Sequence, residues 1–222
     1  MKIVSSALLC SLLLVLAPKA TAGTLVLNPF ADGFDASSGI SNSITYTHLV
    51  DVNTNDGGAT INGVFFDNTG SYTLNGAGNT FQNYDSPADN ASGLEDLLDD
   101  FLYNGNPATL TLSGLTPGET YKLRLYVGGF GGSLQDFTFD DTVGPTLVDD
   151  IPRDAGNGSV PGSIDYTYTL GVGDTDLVMT VAPVDGSNTF HFYGFSNEVV
   201  PEPSTLGLGL LGALALVMRR RR

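Results

Sequence analysis

The 222-residue sequence has one cysteine, no tryptophan, two histidines and nine basic residues. Each shortage narrows the function. The only thiol, Cys10, sits in an apolar N-terminal run; once that run is removed, the chain has no disulfide, thiolate nucleophile or cysteine metal site, and stability must come from a packed core. Imidazole chemistry has only His48 and His191 as carriers, and His191 lies in an aromatic run where a core ring is the simpler reading. Without tryptophan, the usual platform for sugar stacking is missing, which leaves Tyr46, Tyr72, Tyr84 or Tyr103 for that role. No Gly-x-Ser-x-Gly, His-Glu-x-x-His or Walker-type loop occurs. The expectation is a protein that is not an enzyme, with no catalytic residue to name.

Positive charge is scarcest in the middle of the chain. Six of the nine basic residues are terminal (Lys2, Lys19 and Arg219 to Arg222), leaving Lys122, Arg124 and Arg153 against 23 of the 24 acids, all but Glu202. A surface this acidic repels nucleic acid, which is excluded as a partner, and attracts divalent cations or basic partners.

Both ends read as targeting segments. Lys2, the apolar Ile3 to Ala17 and the small residues Ala20-Thr21-Ala22 have the layout of a signal peptide over residues 1–22, cut after Ala22 with Ala20 and Ala22 as the cleavage determinants, so that Gly23 begins the mature chain. Cys10 follows Leu8-Leu9 and lacks the small neighbour that lipid attachment requires. At the other end, residues 199–222 hold Pro201-Glu202-Pro203, an apolar stretch from Leu206 to Met218, and Arg219, Arg220, Arg221 and Arg222. Thirteen helical residues span about 20 Å against roughly 30 Å of bilayer hydrocarbon, so 206–218 suits a transient transmembrane helix better than a permanent one. The arginines stay cytoplasmic and leave the rest of the chain outside.

Between them, residues 23–198 suit one domain. Ten short apolar or alternating runs are separated by Gly, Asn, Asp and Pro: Thr24 to Leu27, Ser43 to Val50, Ala59 to Phe66, Ser71 to Leu74, Ala108 to Leu112, Thr120 to Val127, Asp136 to Phe139, Ser163 to Leu170, Asp176 to Val181 and Thr189 to Phe195. They predict a mainly β fold, a two-sheet jelly-roll-like sandwich. Tyr121, Leu123, Leu125 and Val127 should point inward, and Lys122 and Arg124 to solvent. One short helix is predicted from the capping box Ser92/Glu95 and the stripe Leu94, Leu97, Leu98, Phe101 and Leu102, ended by Gly105 and Pro107 and laid across an end of the sandwich. Thr109 with Thr111, and Thr167 with Thr169, are pairs that strand alternation explains without the regular ranks of an ice-binding surface.

The acids offer one candidate cofactor, calcium. Asp51, Asn53, Asn55 and Asp56 line a loop with oxygen ligands at near-alternate positions, although Asp56 stands where an EF-hand needs glycine and Asn62 where it needs glutamate. Asn and Asp also favour such turns through their own backbone hydrogen bonds. Asp140-Asp141 and Asp149-Asp150 are further acid pairs.

Three resemblances follow from these residues. The C-terminal order of Pro-Glu-Pro box, short apolar stretch and arginine cluster resembles the PEP-CTERM sorting signal, also known as the ice-binding protein C-terminal domain for its occurrence rather than for any ice contact. The resemblance implies processing by an exosortase-type membrane peptidase in Gram-negative bacteria that make exopolysaccharide. The precursor would be tethered to the inner membrane and the product carried to the outer surface or extracellular matrix. Leu115-Thr116-Pro117-Gly118 followed by Tyr121 is similar to the tyrosine corner of fibronectin-type sandwiches, in which the tyrosine hydroxyl bonds upstream backbone. The whole domain is similar to galactose-binding-like jelly rolls. Two readings result: a non-catalytic surface or matrix protein binding glycan or calcium, or a secreted carbohydrate-active enzyme with two carboxylates across a cleft. A third outcome leaves the tail uncleaved in the inner membrane.

Overall fold

The structure is a computed structural model that describes residues 23–30, 35–52, 58–82, 92–128, 133–141, 145–152, 161–184 and 189–201. The expected signal peptide and the hydrophobic helix 206–218 lie outside the described residues. Fourteen strands are described, in chain order β1 (Thr24–Pro29), β2 (Tyr46–Asp51), β3 (Thr60–Ile61), β4 (Val64–Phe65), β5 (Ser71–Asn75), β6 (Asn79–Phe81), β7 (Phe101–Tyr103), β8 (Ala108–Ser113), β9 (Thr120–Val127), β10 (Leu134–Asp140), β11 (Thr146–Pro152), β12 (Gly162–Thr169), β13 (Leu177–Pro183) and β14 (Gly194–Val199).

They form the expected antiparallel sandwich. The first sheet runs β1-β12-β9-β14-β2 and the second β11-β10-β13-β8-β5, with two small two-stranded ladders beside them. Side chains alternate as strand geometry requires: Leu123, Leu125, Ile164 and Phe195 of the first sheet meet Leu110, Leu112, Phe137, Phe139 and Met179 of the second in one buried core. Tyr166 lies flat on Phe139, ring centroids 3.7 Å apart, and binds the two layers through aromatic contact. The tyrosine corner forms as expected. The Thr116 amide donates to Tyr121 Oη at 2.8 Å, and Gly118 takes the positive φ (82°) that the turn demands.

Four expectations are corrected. Ala59 to Phe66 is a hairpin, β3 and β4, because Asn62 and Gly63 both adopt positive φ, the requirement of a tight two-residue turn. The helix α1 is Gly93–Leu98, ending before Phe101 and Leu102, which enter β7. Ser92 caps it by accepting from the Glu95 amide at 3.2 Å, and Asp35 accepts from the Gly93 and Leu94 amides. The aromatic run Thr189 to Phe195 is not one strand; β14 begins at Gly194 and continues to Val199.

The fourth correction concerns the basic pair. Lys122 and Arg124 do point away from the core, but that face is covered. Residues 35–41, the β3–β4 hairpin and α1 lie over the outer face of the first sheet and build a second apolar cluster from Phe30, Ile40, Ile61, Phe66, Leu94, Leu97, Leu98, Tyr126 and Tyr193. Leu97 comes so close to Gly194 that a Cβ there would sit 2.5 Å from Leu97 Cδ1. The helix therefore packs on the outer face of this sheet and not across an open end. Asn62 Nδ2 ties the hairpin turn to the cover by donating to the Asp35 and Ile40 carbonyls.

Candidate functional site

The sorting motif begins at the C-terminal end of β14, the last described strand. This strand is interior to its sheet, paired with β9 on one side and β2 on the other. Its hold persists past the last ladder residue, since the Val199 amide donates to the Thr45 carbonyl at 3.0 Å and the Val200 amide to the Thr120 carbonyl at 2.8 Å. Pro201 comes next and is exposed. Proline has no N–H to donate, so Val200 gives the last backbone donor bond before the box. Pro201 is thus the one residue of the sorting box that the structure describes; Glu202, Pro203 and Arg219, Arg220, Arg221 and Arg222 lie outside the described residues, as do Ala20 and Ala22.

The exit is firmly built. Glu198, 8% exposed, pairs with Lys122 Nζ at 2.5 Å, and a groove of about 320 Å³ lined by Ser43, Ile44, Thr45, Glu198, Val199, Val200 and Pro201 runs beside it. Two residues along β9, Arg124 makes a two-pronged contact with Asp165, Nε to Oδ1 at 2.9 Å and Nη2 to Oδ2 at 2.7 Å, and donates from Nη1 to the Ser38 carbonyl at 2.5 Å. Burial works against the Arg124 charge, but the hydrogen bond and charge of Asp165 outweigh it and hold its pKa above the ordinary arginine value. Arg124 is therefore a cross-link between sheet and cover. Gly39, at φ 74°, passes so near the guanidinium that any Cβ would collide with Nη1.

Of the calcium-loop candidates, Asp51 alone is among the described residues. Asp51 ends β2, is 4% exposed and pairs in register with Gly194, whereas Asn53, Asn55 and Asp56 lie outside the described residues. Among the described residues, no group of three His, Cys, Asp or Glu side chains gathers as a metal would need. Asp140 and Asp141 face different surroundings: Asp140 is exposed and lines a shallow hollow of about 270 Å³ with Asp174 and Asp176, while Asp141 is buried and accepts from Tyr166 Oη at 2.9 Å. The Asp150 amide donates to Asp136 Oδ1 at 3.1 Å.

The rings named for sugar stacking are engaged in packing. Tyr46 Oη accepts from the Ser41 amide, Tyr72 meets Phe195 edge-on at 5.3 Å, and Tyr103 packs against Phe101; Tyr84 lies outside the described residues. His191 is a core ring, stacked on Phe101 with centroids 4.2 Å apart. His48 is buried at the seam between the sheets. Its Nε2 faces the Ser71 carbonyl at 3.0 Å, which can only accept, so Nε2 carries the proton and Nδ1 lies 3.0 Å from Thr47 Oγ1. Burial lowers the His48 pKa below 6.5, the Ser71 bond opposing.

Sequence reasoning missed the Arg124–Asp165 link. Alternation puts each residue on a face of its own strand, but only the β9–β12 register sets Asp165 opposite Arg124.

The comparisons with known proteins divide between domain and tail. The domain overlaps the ANXUR1 extracellular domain from Arabidopsis thaliana at TM-score 0.43 and 14% identity, covering 57% of this chain and 39% of that one. The ANXUR2 extracellular domain from the same plant gives 0.43 and 14%, over 59% and 41%. An exo-β-1,3-galactanase from Phanerochaete chrysosporium, solved with galactose, gives 0.36 and 15%, over 61% and 30%. The chain thus spans less than half the length of each. No curated protein matches the sequence. Residues 199–222 match the PEP-CTERM protein-sorting motif, so this chain carries an exosortase sorting signal and is an exported surface protein.

Proposed function

We propose that the sandwich is a non-catalytic cell-surface or extracellular-matrix module, released from an inner-membrane-tethered precursor by cleavage in its tail and held at the outer surface of a Gram-negative cell. One observation carries this reading: the chain is hydrogen-bonded through Val200 inside its sheet, and the next residue, Pro201, the first of the sorting box, is exposed. A peptidase acting beyond Pro201 then has no need to unpair β14. The partner implied beyond the exosortase is exopolysaccharide. Calcium, if used, would involve Asp51 with Asn53, Asn55 and Asp56, and would join an acidic surface to an acidic polymer as neither does alone.

Mass spectrometry of the exported protein tests the route. A C-terminus within or before the apolar stretch is expected, and an intact Arg222 on material outside the cell would refute it. A glycan array read with and without calcium tests the ligand, with calcium-dependent retention of acidic polysaccharide expected. A second reading, a carbohydrate-active enzyme with paired carboxylates, has the hollow beside Asp140, Asp174 and Asp176 in its favour. It requires glycan hydrolysis that Asp140→Asn combined with Asp174→Asn abolishes.

A further inference from the structure

The strongest unexplained group in the sandwich is a carboxylate. Asp141 has no exposed surface, and although Oδ2 accepts the Tyr166 hydroxyl at 2.9 Å, Oδ1 is buried without a hydrogen-bond partner among the described residues. A buried acceptor left unmatched is costly, and a buried charge more so, unless a positive group is supplied. Lys122 and Arg124 are committed to Glu198 and Asp165.

The first residue expected in the mature chain lies beside it. Gly23 is in contact with the Tyr166 ring, where a Cβ would sit 2.1 Å from both Cζ and Oη. Its N–H donates to the same Oη that donates to Asp141, and the Thr146 hydroxyl donates there too. Two hydrogen bonds in series put the Gly23 nitrogen within about 6 Å of the Asp141 carboxylate. Burial, reinforced by Asp141, pushes the Tyr166 hydroxyl well up, against the pull of Thr146 and Gly23, so it remains a neutral relay between the two. In the precursor this nitrogen is an amide with a single hydrogen, already spent on Tyr166.

We propose that Asp141 and Tyr166 form a receptor for the α-ammonium of Gly23, created when the signal peptide is removed. The inference rests on the signal-peptide reading of residues 1–22. Hydrolysis of the Ala22–Gly23 bond by a leader peptidase consumes one water, leaves a carboxylate on Ala22 and an amine on Gly23, and the amine takes up a proton. The product has three donors and a full positive charge where the amide had one donor and none. One donor keeps the Tyr166 bond and another turns to Asp141 Oδ1, since without a Cβ residue 23 can rotate against the ring. Export thus tightens the fold: the cut that frees the domain supplies a counter-charge to Asp141, beside which no basic residue is paired among the described residues.

The test compares chains running from Gly23 to Arg222 in detergent with a free or an Nα-acetylated N-terminus, each with Asp141 or Asp141→Asn. The free amine is expected to raise Tm by at least about 3 °C over the acetylated chain when Asp141 is present, and by much less in Asp141→Asn. Equal Tm values for the free and acetylated chains, or the same gain in both backgrounds, would overturn the proposal. Should Asp141→Asn fail to fold, NMR titration of the ¹⁵N-labelled Gly23 amine decides, with Asp141, Tyr166 and Tyr168 as the titratable neighbours. A pKa at least about one unit above the ordinary 7.7–8.0 is expected, and an ordinary value overturns the proposal. N-terminal sequencing of the exported protein checks the signal-peptide reading separately, because the test chains begin at Gly23 by construction.

Discussion

The two sheets present outer faces of opposite character. On the first, Lys122 and Arg124 look outward, yet Arg124 is roofed by residues 35–41, clamped to Asp165 and Ser38, and flanked by the buried Tyr126. On the second, Thr73, Thr109, Thr111, Thr138 and Thr180 occupy the outward positions of neighbouring strands; none is buried, and Thr109 lies 3.4 Å from Thr180, hydroxyl to hydroxyl. Strand alternation looks the same in both. The face that carries the basic pair became interior, while the threonine-rich face, which also carries Asp136 and Asp140 on β10, stayed open. A charge can be buried where it meets a partner of fixed geometry, and the bidentate pair of Arg124 and Asp165 supplies that.

The contrast can be broken first at Arg124. Arg124→Ala leaves Asp165 buried without its cation and removes the tie to Ser38, with an expected loss of about 3–5 kcal/mol in denaturant unfolding. A loss below about 1 kcal/mol would mean that the face is solvated like its counterpart. Next is the cover itself. Ser92→Ala removes the cap of α1 and should cost about 1 kcal/mol, with faster amide exchange in Gly93–Leu98 than in the sheets. The seam comes third: because His48 has a lowered pKa in the fold, the unfolded chain binds its proton first, and stability falls as pH drops below 6.5 toward the folded value. His48→Gln should flatten that part of a Tm–pH curve and leave the curve above about pH 7 unchanged. The smallest effect belongs to the open face, where Thr180→Val should stay within about 0.5 kcal/mol; a larger loss would reveal a cover or partner there.

Most of the sandwich was legible because its strands alternate cleanly: Tyr121 to Val127, and Tyr166 to Leu170, point as their two-residue period requires. The tyrosine corner was legible because a Pro-Gly turn and a tyrosine three residues later are local chemistry. The Asn62–Gly63 hairpin was equally local, and was passed over because both arms are apolar and read as one run. The helix end was harder. Phe101 and Leu102 continue the helical stripe, and distant backbone draws them into extended structure: β6 pairs Phe81 with Phe101 and Thr80 with Leu102, and Phe192 exchanges hydrogen bonds with Leu102 at 2.8 and 2.9 Å. At the tail the box was plain, but the last hydrogen bond before it, at Val200, was not.

By itself the sequence determined the address of this protein and the class of its fold. A sorting box, an apolar stretch and an arginine cluster act through composition and order, and a β sandwich follows from a period of two. Only the tertiary structure decided which side chains are inside. It turned Arg124 from a surface charge into a cross-link, parted Asp140 from Asp141, and set Gly23 against Tyr166. Those outcomes depend on register and on which loop folds over which sheet, and pairings between residues tens of positions apart are not encoded in any local pattern.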